Sequence, residues 1–275
     1  MRVLDLCSGI GGFSLGLQRA GMETVAFCEI DEFCRKILNK HWPDVPVFKD
    51  IKALANGSEG LIPGCDLICG GVPCQPFSVA NANKRKGQED DRHLWPYMFE
   101  IVKQQKPAFV IVENVAGFVN MALDDVLSDL ESEGYAAQSF VIPACAVDAK
   151  HRRDRVWIVA HANDRYFHAE EEICSGRDTA HICSTDVANS YGEGLEIGKG
   201  FREHAQSELS TIERSSYEEP AVWPAEPRIL RVANGIPNRV DRIKGLGNAV
   251  VPQVVEVIGR AIMEFYEESQ SKNQS

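Results

Sequence analysis

Val3-Leu4-Asp5-Leu6-Cys7-Ser8-Gly9-Ile10-Gly11-Gly12-Phe13 begins as a short apolar run and passes at once into small residues. A run this short, bounded by glycines, reads as a buried strand rather than a helix. The small residues after it form a turn in which the backbone can approach a ligand at the carboxyl edge of a sheet, before a helix opens near Phe13.

The same alternation continues to about Ala160. Further strands are expected at Thr24 to Glu29, Leu67 to Gly70, Phe109 to Glu113, Ala137 to Ile142 and Arg155 to Ala160. Helical spacing is seen at Phe13 to Ala20, Glu32 to His41, Leu94 to Gln105 and Leu123 to Gly134. Strands alternating with amphipathic helices specify an α/β, doubly wound, mostly parallel sheet with helices on both faces. From His161 to about Pro220 the apolar periodicity stops, and Gly, Ser, Glu and His dominate. Order returns near Trp223. Val250 to Tyr266 again has helical spacing, and Glu267 to Ser275 are expected to fray. The organisation is therefore a first lobe over 1–160, a loop-rich segment over 161–222, and a return segment over 223–275 that completes the first lobe.

A chain of 275 residues with 44% hydrophobic and 25% charged residues can bury a core. A formal net charge of -11 argues against a surface that grips nucleic acid everywhere, so any such site is local. Nine Cys without regular spacing do not form a secreted disulfide framework, and His161, His168, Cys174, His181 and Cys183 fit no standard zinc pattern; no metal is expected. No signal core and no apolar run of membrane-spanning length is read, which gives the expectation of a soluble, cytoplasmic protein without membrane contact.

Four features carry chemistry. Glu29 ends the second strand, where a carboxylate accepts from ribose hydroxyls. Gly70-Gly71-Val72-Pro73-Cys74-Gln75-Pro76 follows an apolar strand and puts Cys74 on the loop at its carboxyl end. Val112-Glu113-Asn114-Val115 puts another carboxylate at a strand end. Farther on, His151-Arg152-Arg153-Asp154-Arg155 precedes a strand, and alternation would point Arg153 and Arg155 the same way.

At these residues, and at Gly247-Asn248-Ala249-Val250-Val251-Pro252, the chain resembles the DNA cytosine-5 methyltransferases, with the motifs in the family's order. The resemblance implies a Rossmann-like fold, S-adenosylmethionine as methyl donor without a metal, and double-stranded DNA as partner. It also implies a monomer and an associated restriction endonuclease or a phage self-protection role. By the same resemblance Cys74 is the nucleophile that adds to carbon 6 of a flipped-out cytosine. Glu113 contacts and protonates nitrogen 3, and Arg155 and Arg153 hold the carbonyl oxygen and a nearby phosphate. Asn114 orders the Cys74 loop. On the cofactor side, Phe13 is expected to stack near the adenine, Glu29 to hold the ribose, and Asp50 with Ile51 to meet the adenine edge. Gly9 and Gly11 would lie against the methionine part, with Pro73, Asn248 and Val250 completing the pocket. Cys7, Cys28, Cys34, Cys65, Cys69 and Cys145 read as ordinary thiols.

Two departures stand out. His151 occupies the place of the family's Gln, and the family's Arg-rich motif after the recognition segment is not recognisable around Trp223 to Val232. The segment from Asp164 to Glu226 is acidic, while Arg228, Arg231, Arg239, Arg242 and Lys244 cluster after it. The flanks, rather than the segment, are expected to grip phosphate, and the segment to choose the target. An RNA-modifying relative and a catalytically silent DNA-binding relative are the competing readings; an intact Cys74, Glu113 and Gly-rich turn speak against the second.

Overall fold

Val3, Leu4 and Leu6 have no exposed surface, so the first strand is covered on both faces. The computed structural model of the chain describes residues 1–72, 94–118, 122–163 and 239–273. Pro73, Cys74 and the stretch 164–238 lie outside the described residues.

The elements in order are β1 (Arg2–Leu6), α1 (Gly12–Arg19), β2 (Glu23–Cys28), α2 (Glu32–His41), β3 (Val47–Phe48), α3 (Ile51–Ala55), β4 (Leu67–Gly71), α4 (Trp95–Gln105), β5 (Phe109–Val115), α5 (Leu123–Ser132), β6 (Tyr135–Pro143), β7 (Asp154–Ala162), α6 (Arg239–Asn248) and α7 (Pro252–Asn273). They form a seven-stranded sheet in the order β3-β2-β1-β4-β5-β7-β6. The five strands from β3 to β5 are parallel, and β7 runs antiparallel to both β5 and β6. The doubly wound, mostly parallel sheet expected from the sequence is present. β3 and α3 were not anticipated, being too short to show a period, and neither was α6, whose exposed Val240 and Leu246 blur its pattern.

One face packs Leu4, Leu6, Ile68, Val110, Val112 and Ile158 under α3, α4 and α5. The opposite face packs Val3, Leu67, Cys69, Ile111, Trp157 and Val159 under α1 and α7. The first lobe is thus closed by the chain's return segment. The helix α7 runs unbroken to Asn273, so the fraying expected from Glu267 onward does not occur within its span; polar residues suit its exposed face. By length and composition the stretch Val240–Ser269 also passes as a bilayer-spanning helix, contrary to the sequence reading. Its apolar side chains Val254, Val255, Ile258, Ala261 and Ile262 are buried in the core instead.

The α1–α7 contact depends on small residues. A Cβ at Gly16 would sit 2.5 Å from the Pro252 carbonyl oxygen and 2.6 Å from Val255 Cβ, and one at Gly259 would sit 2.8 Å from Ala20 Cβ. Backbone, unlike a flexible side-chain tip, cannot swing aside. Gly16→Val should therefore force the helices apart and cost about 2–3 kcal/mol in urea unfolding. A loss under about 0.5 kcal/mol, the scatter of ordinary surface substitutions, would show that α7 is not seated as described.

Candidate active site

The turn after β1 is held by an unusual backbone. Cys7, Gly9 and Gly11 all have positive φ (52°, 54° and 85°), which explains the glycines at two of the three places. Ser8 N–H donates to Cys28 O at 3.1 Å and its hydroxyl donates to Asp5 O at 2.6 Å. Glu29, 9% exposed, completes the turn. Its Oε2 accepts from Gly9 N–H and its Oε1 from Asp31 N–H, both at 2.7 Å. Asp31 then caps α2 by accepting from Phe33 N–H and Cys34 N–H. Lys244 of α6 donates to Asp31 Oδ2 at 2.7 Å, which holds the Asp31 carboxyl below its usual range.

The expected cofactor residues fall around this turn, with differences. A Cβ at Gly9 would meet nothing within 4 Å, so the turn faces open space there. Val250 packs on Gly12, where a Cβ would lie 2.8 Å from Val250 Cγ2, and Asn248 is exposed at the end of α6. Asp50 caps α3, accepting from Lys52 N–H at 2.9 Å. The Ile51 side chain is in the core, at the start of α3. Phe13 is 3% exposed and its ring meets Trp157 edge-on at 5.7 Å. Ile30, which the sequence reading passed over, stands 73% exposed beside Glu29.

The second cluster lies where β4, β5 and β7 meet. The register sets Gly71 beside Glu113, Glu113 beside Trp157 and Val115 beside Arg155. Glu113 and Arg155 are then diagonal neighbours on one face, and Arg155 Nε meets Glu113 Oε1 at 2.8 Å. Glu113 Oε2 leans over Gly71, where a Cβ would be 3.3 Å away. Burial raises the Glu113 carboxyl above its ordinary value, and the positive charges of Arg155 and Arg153 oppose that rise. Asn114 Nδ2 donates to Val72 O at 3.4 Å and its Oδ1 accepts from Val115 N–H. It therefore ties the end of β5 to the residue that leads into the Cys74 stretch.

Arg153 does not run parallel to Arg155. Its φ of 40° breaks the strand alternation, and its Nη2 donates to Gly247 O at 3.0 Å and Ala249 O at 2.8 Å. Burial pushes Cys28, Cys34 and Cys65 up to about 12, and Cys7 and Cys69 well above the ordinary value.

A seven-stranded doubly wound sheet with an antiparallel β7, a Gly-rich turn after β1 and a carboxylate ending β2 is a Rossmann-like methyltransferase architecture. The chain matches the model for C-5 cytosine-specific DNA methylases over residues 1–223 and belongs to that family. It is 30% identical over 220 residues to the Type II methyltransferase M.HgiBI of Herpetosiphon aurantiacus, covering 72% of this chain and 49% of the relative. It is 30% identical over 257 residues to the Type II methyltransferase M2.BsuMI of Bacillus subtilis (strain 168), covering 85% and 62%. The chain spans about half the length of the first curated relatives it matches. The S. pombe Dnmt2 methyltransferase superposes with a TM-score of 0.58 over 98% of this chain and 99% of that one; at 17% identity the likeness is one of fold.

Asp5, at the end of β1, has no exposed surface. Its Oδ2 accepts from Ser14 Oγ at 2.8 Å, while Oδ1 has no hydrogen-bond partner among the described residues. Burial raises its pKa from 3.8 to about 7. A folded-state pKa above the unfolded one means that this carboxyl's favourable contribution is complete at acid pH and is lost as pH climbs through about 7. Asp5→Asn keeps the shape and removes the titration. The variant should gain on the wild type by a few kcal/mol between about pH 4.5 and about pH 8 in urea unfolding. A gap that is equal at both pH values would refute a neutral Asp5.

Proposed function

We propose that the protein is a DNA (cytosine-5-)-methyltransferase that moves a methyl group from S-adenosylmethionine to carbon 5 of a cytosine in double-stranded DNA. We read it as a monomeric cytoplasmic enzyme that serves a restriction-modification system, with an associated endonuclease, or phage self-protection. The observation that carries the reaction is the buried Glu113–Arg155 pair beside Gly71, three residues before Cys74.

Carbon 5 of cytosine is too electron-poor to attack unaided. The Cys74 thiolate adds to carbon 6, forming a carbon–sulfur bond; the electron pair of the 5,6 double bond moves toward carbon 5, and nitrogen 3 takes a proton from Glu113. Glu113 can hold that proton because burial raises its carboxyl. Arg155 fixes the carboxyl's orientation through its Nε and would hold the cytosine carbonyl oxygen with its remaining donors. Neither ring face is accessible in a stacked duplex, so the base must swing out. S-adenosylmethionine fits the open Gly9 turn and would be held by Gly9, Gly11, Glu29, Asp50, the Ile51 backbone, Pro73, Asn248 and Val250, supplying the methyl group that carbon 5 accepts. Water removes the carbon 5 proton, the 5,6 double bond re-forms as Cys74 leaves as the thiolate, and nitrogen 3 returns its proton to Glu113.

A fluorine at carbon 5 cannot leave as a proton, so duplex DNA with 5-fluorocytosine at the target, incubated with enzyme and donor, should give a denaturation-resistant adduct. Bisulfite sequencing of DNA from expressing cells identifies the target. An adduct from Cys74→Ala, or none from the wild type on that target, would sink the nucleophile assignment. Glu113→Gln should lower kcat by roughly 10²- to 10⁴-fold; single-turnover methylation at an unchanged rate would remove Glu113 from the proton transfer.

A further inference from the structure

Three contacts converge on the short stretch that joins α6 to α7. Arg153 Nη2 takes both the Gly247 and Ala249 carbonyl oxygens, at 3.0 and 2.8 Å. These are C-terminal carbonyls of α6 and its exit, groups that have no helical partner and bind cations well. At the other side of the helix, Lys244 holds Asp31, whose N–H is bound by Glu29. Between them, Gly245 is buried, and a Cβ there would stand 3.3 Å from Ile10 Cγ2. Just beyond, Val250 lies on Gly12. The second half of α6 and its exit therefore lie against the Gly-rich turn as a strap, fixed at Lys244 and again at Gly247 and Ala249. One of its fixings, Arg153, sits two residues before the arginine that pairs with Glu113.

We infer that Arg153 is a positioning residue that clamps the return segment over the cofactor turn, rather than a group that touches the cytosine. This rests on reading the Gly9–Glu29 edge as the cofactor site. The clamp physically joins the two halves of the active centre. The backbone at 153 to 155 carries Arg155 toward the Glu113 pocket and Arg153 toward the cofactor strap. Whatever settles Arg155 in the target pocket also favours the closed strap, and by linkage an enclosed cofactor favours the target-ready Arg155.

The test uses two measurements on the full chain. In the absence of any ligand, amide hydrogen exchange is followed at Ala249, whose N–H donates to Gly245 O at 3.1 Å, with the amides of β1 and β4 as controls for folding. Arg153→Ala should speed exchange at Ala249 roughly tenfold while the control strands stay protected, because it removes a charge-assisted contact to two carbonyls. Arg153→Lys, which can still reach a carbonyl as a cation, should recover part of that protection. Calorimetry with S-adenosylhomocysteine and no DNA should show Kd rising roughly tenfold in Arg153→Ala, and in the same direction in Lys244→Ala. Unchanged exchange at Ala249 overturns the clamp. Fast exchange with a Kd within about twofold of wild type, or a loss confined to DNA binding, overturns its role at the cofactor. If the wild type binds no S-adenosylhomocysteine, the cofactor reading falls, while the exchange data still decide the clamp.

Discussion

The carboxylate of Glu29 is nearly out of water, and its two oxygens each accept from a backbone N–H, of Gly9 and of Asp31. A buried charge left without donors would cost several kcal/mol, so the loops that bring those donors are held where the carboxylate needs them. This is why three consecutive features become one object: the left-handed turn through Gly9 and Gly11, the end of β2, and the capped start of α2. The return segment then joins the same object through Lys244 and Asp31. A change in the Glu29 carboxylate would be felt in all of them.

The second carboxylate of the edge is governed by the opposite means. Glu113 has a guanidinium, and the antiparallel β5–β7 register is what delivers it. Had β7 run parallel to β5, residues 153 to 155 would lie at the far edge of the sheet. Reversing one strand brings its beginning to the end of β5, so an arginine early in β7 meets a glutamate late in β5. Burial and the neighbouring arginines pull the Glu113 proton in opposite directions.

Much of this was legible in the residues. Glu32 to His41 is recovered as an α-helix with the same bounds, because an Asp cap and a clear apolar stripe mark it. The strand ends bearing Glu29 and Glu113 are also where the apolar runs place them. What was not legible lies mainly in contacts between distant segments. The Lys244–Asp31 pair spans 213 positions and leaves no spacing signal. The divergence of Arg153 from Arg155 follows from one positive φ at a non-glycine residue, which strand alternation cannot foresee. The Phe13–Trp157 ring contact was likewise out of reach, because the two residues are remote in sequence.

The α1–α7 face has a consequence for the order in which the chain is made. Val3, Leu67, Cys69, Ile111 and Val159 all need α7 to cover them, yet Pro252 follows the end of β7 by about 90 residues. At translation rates of about 5–20 residues per second, a nearly complete sheet waits on the order of ten seconds with one apolar side open. During that interval the nascent chain resembles an unlidded box, and its vulnerability to self-association is set by the ribosome's pace rather than by the stability of the finished fold. Slow codons between the two parts would lengthen the exposure without altering a single residue.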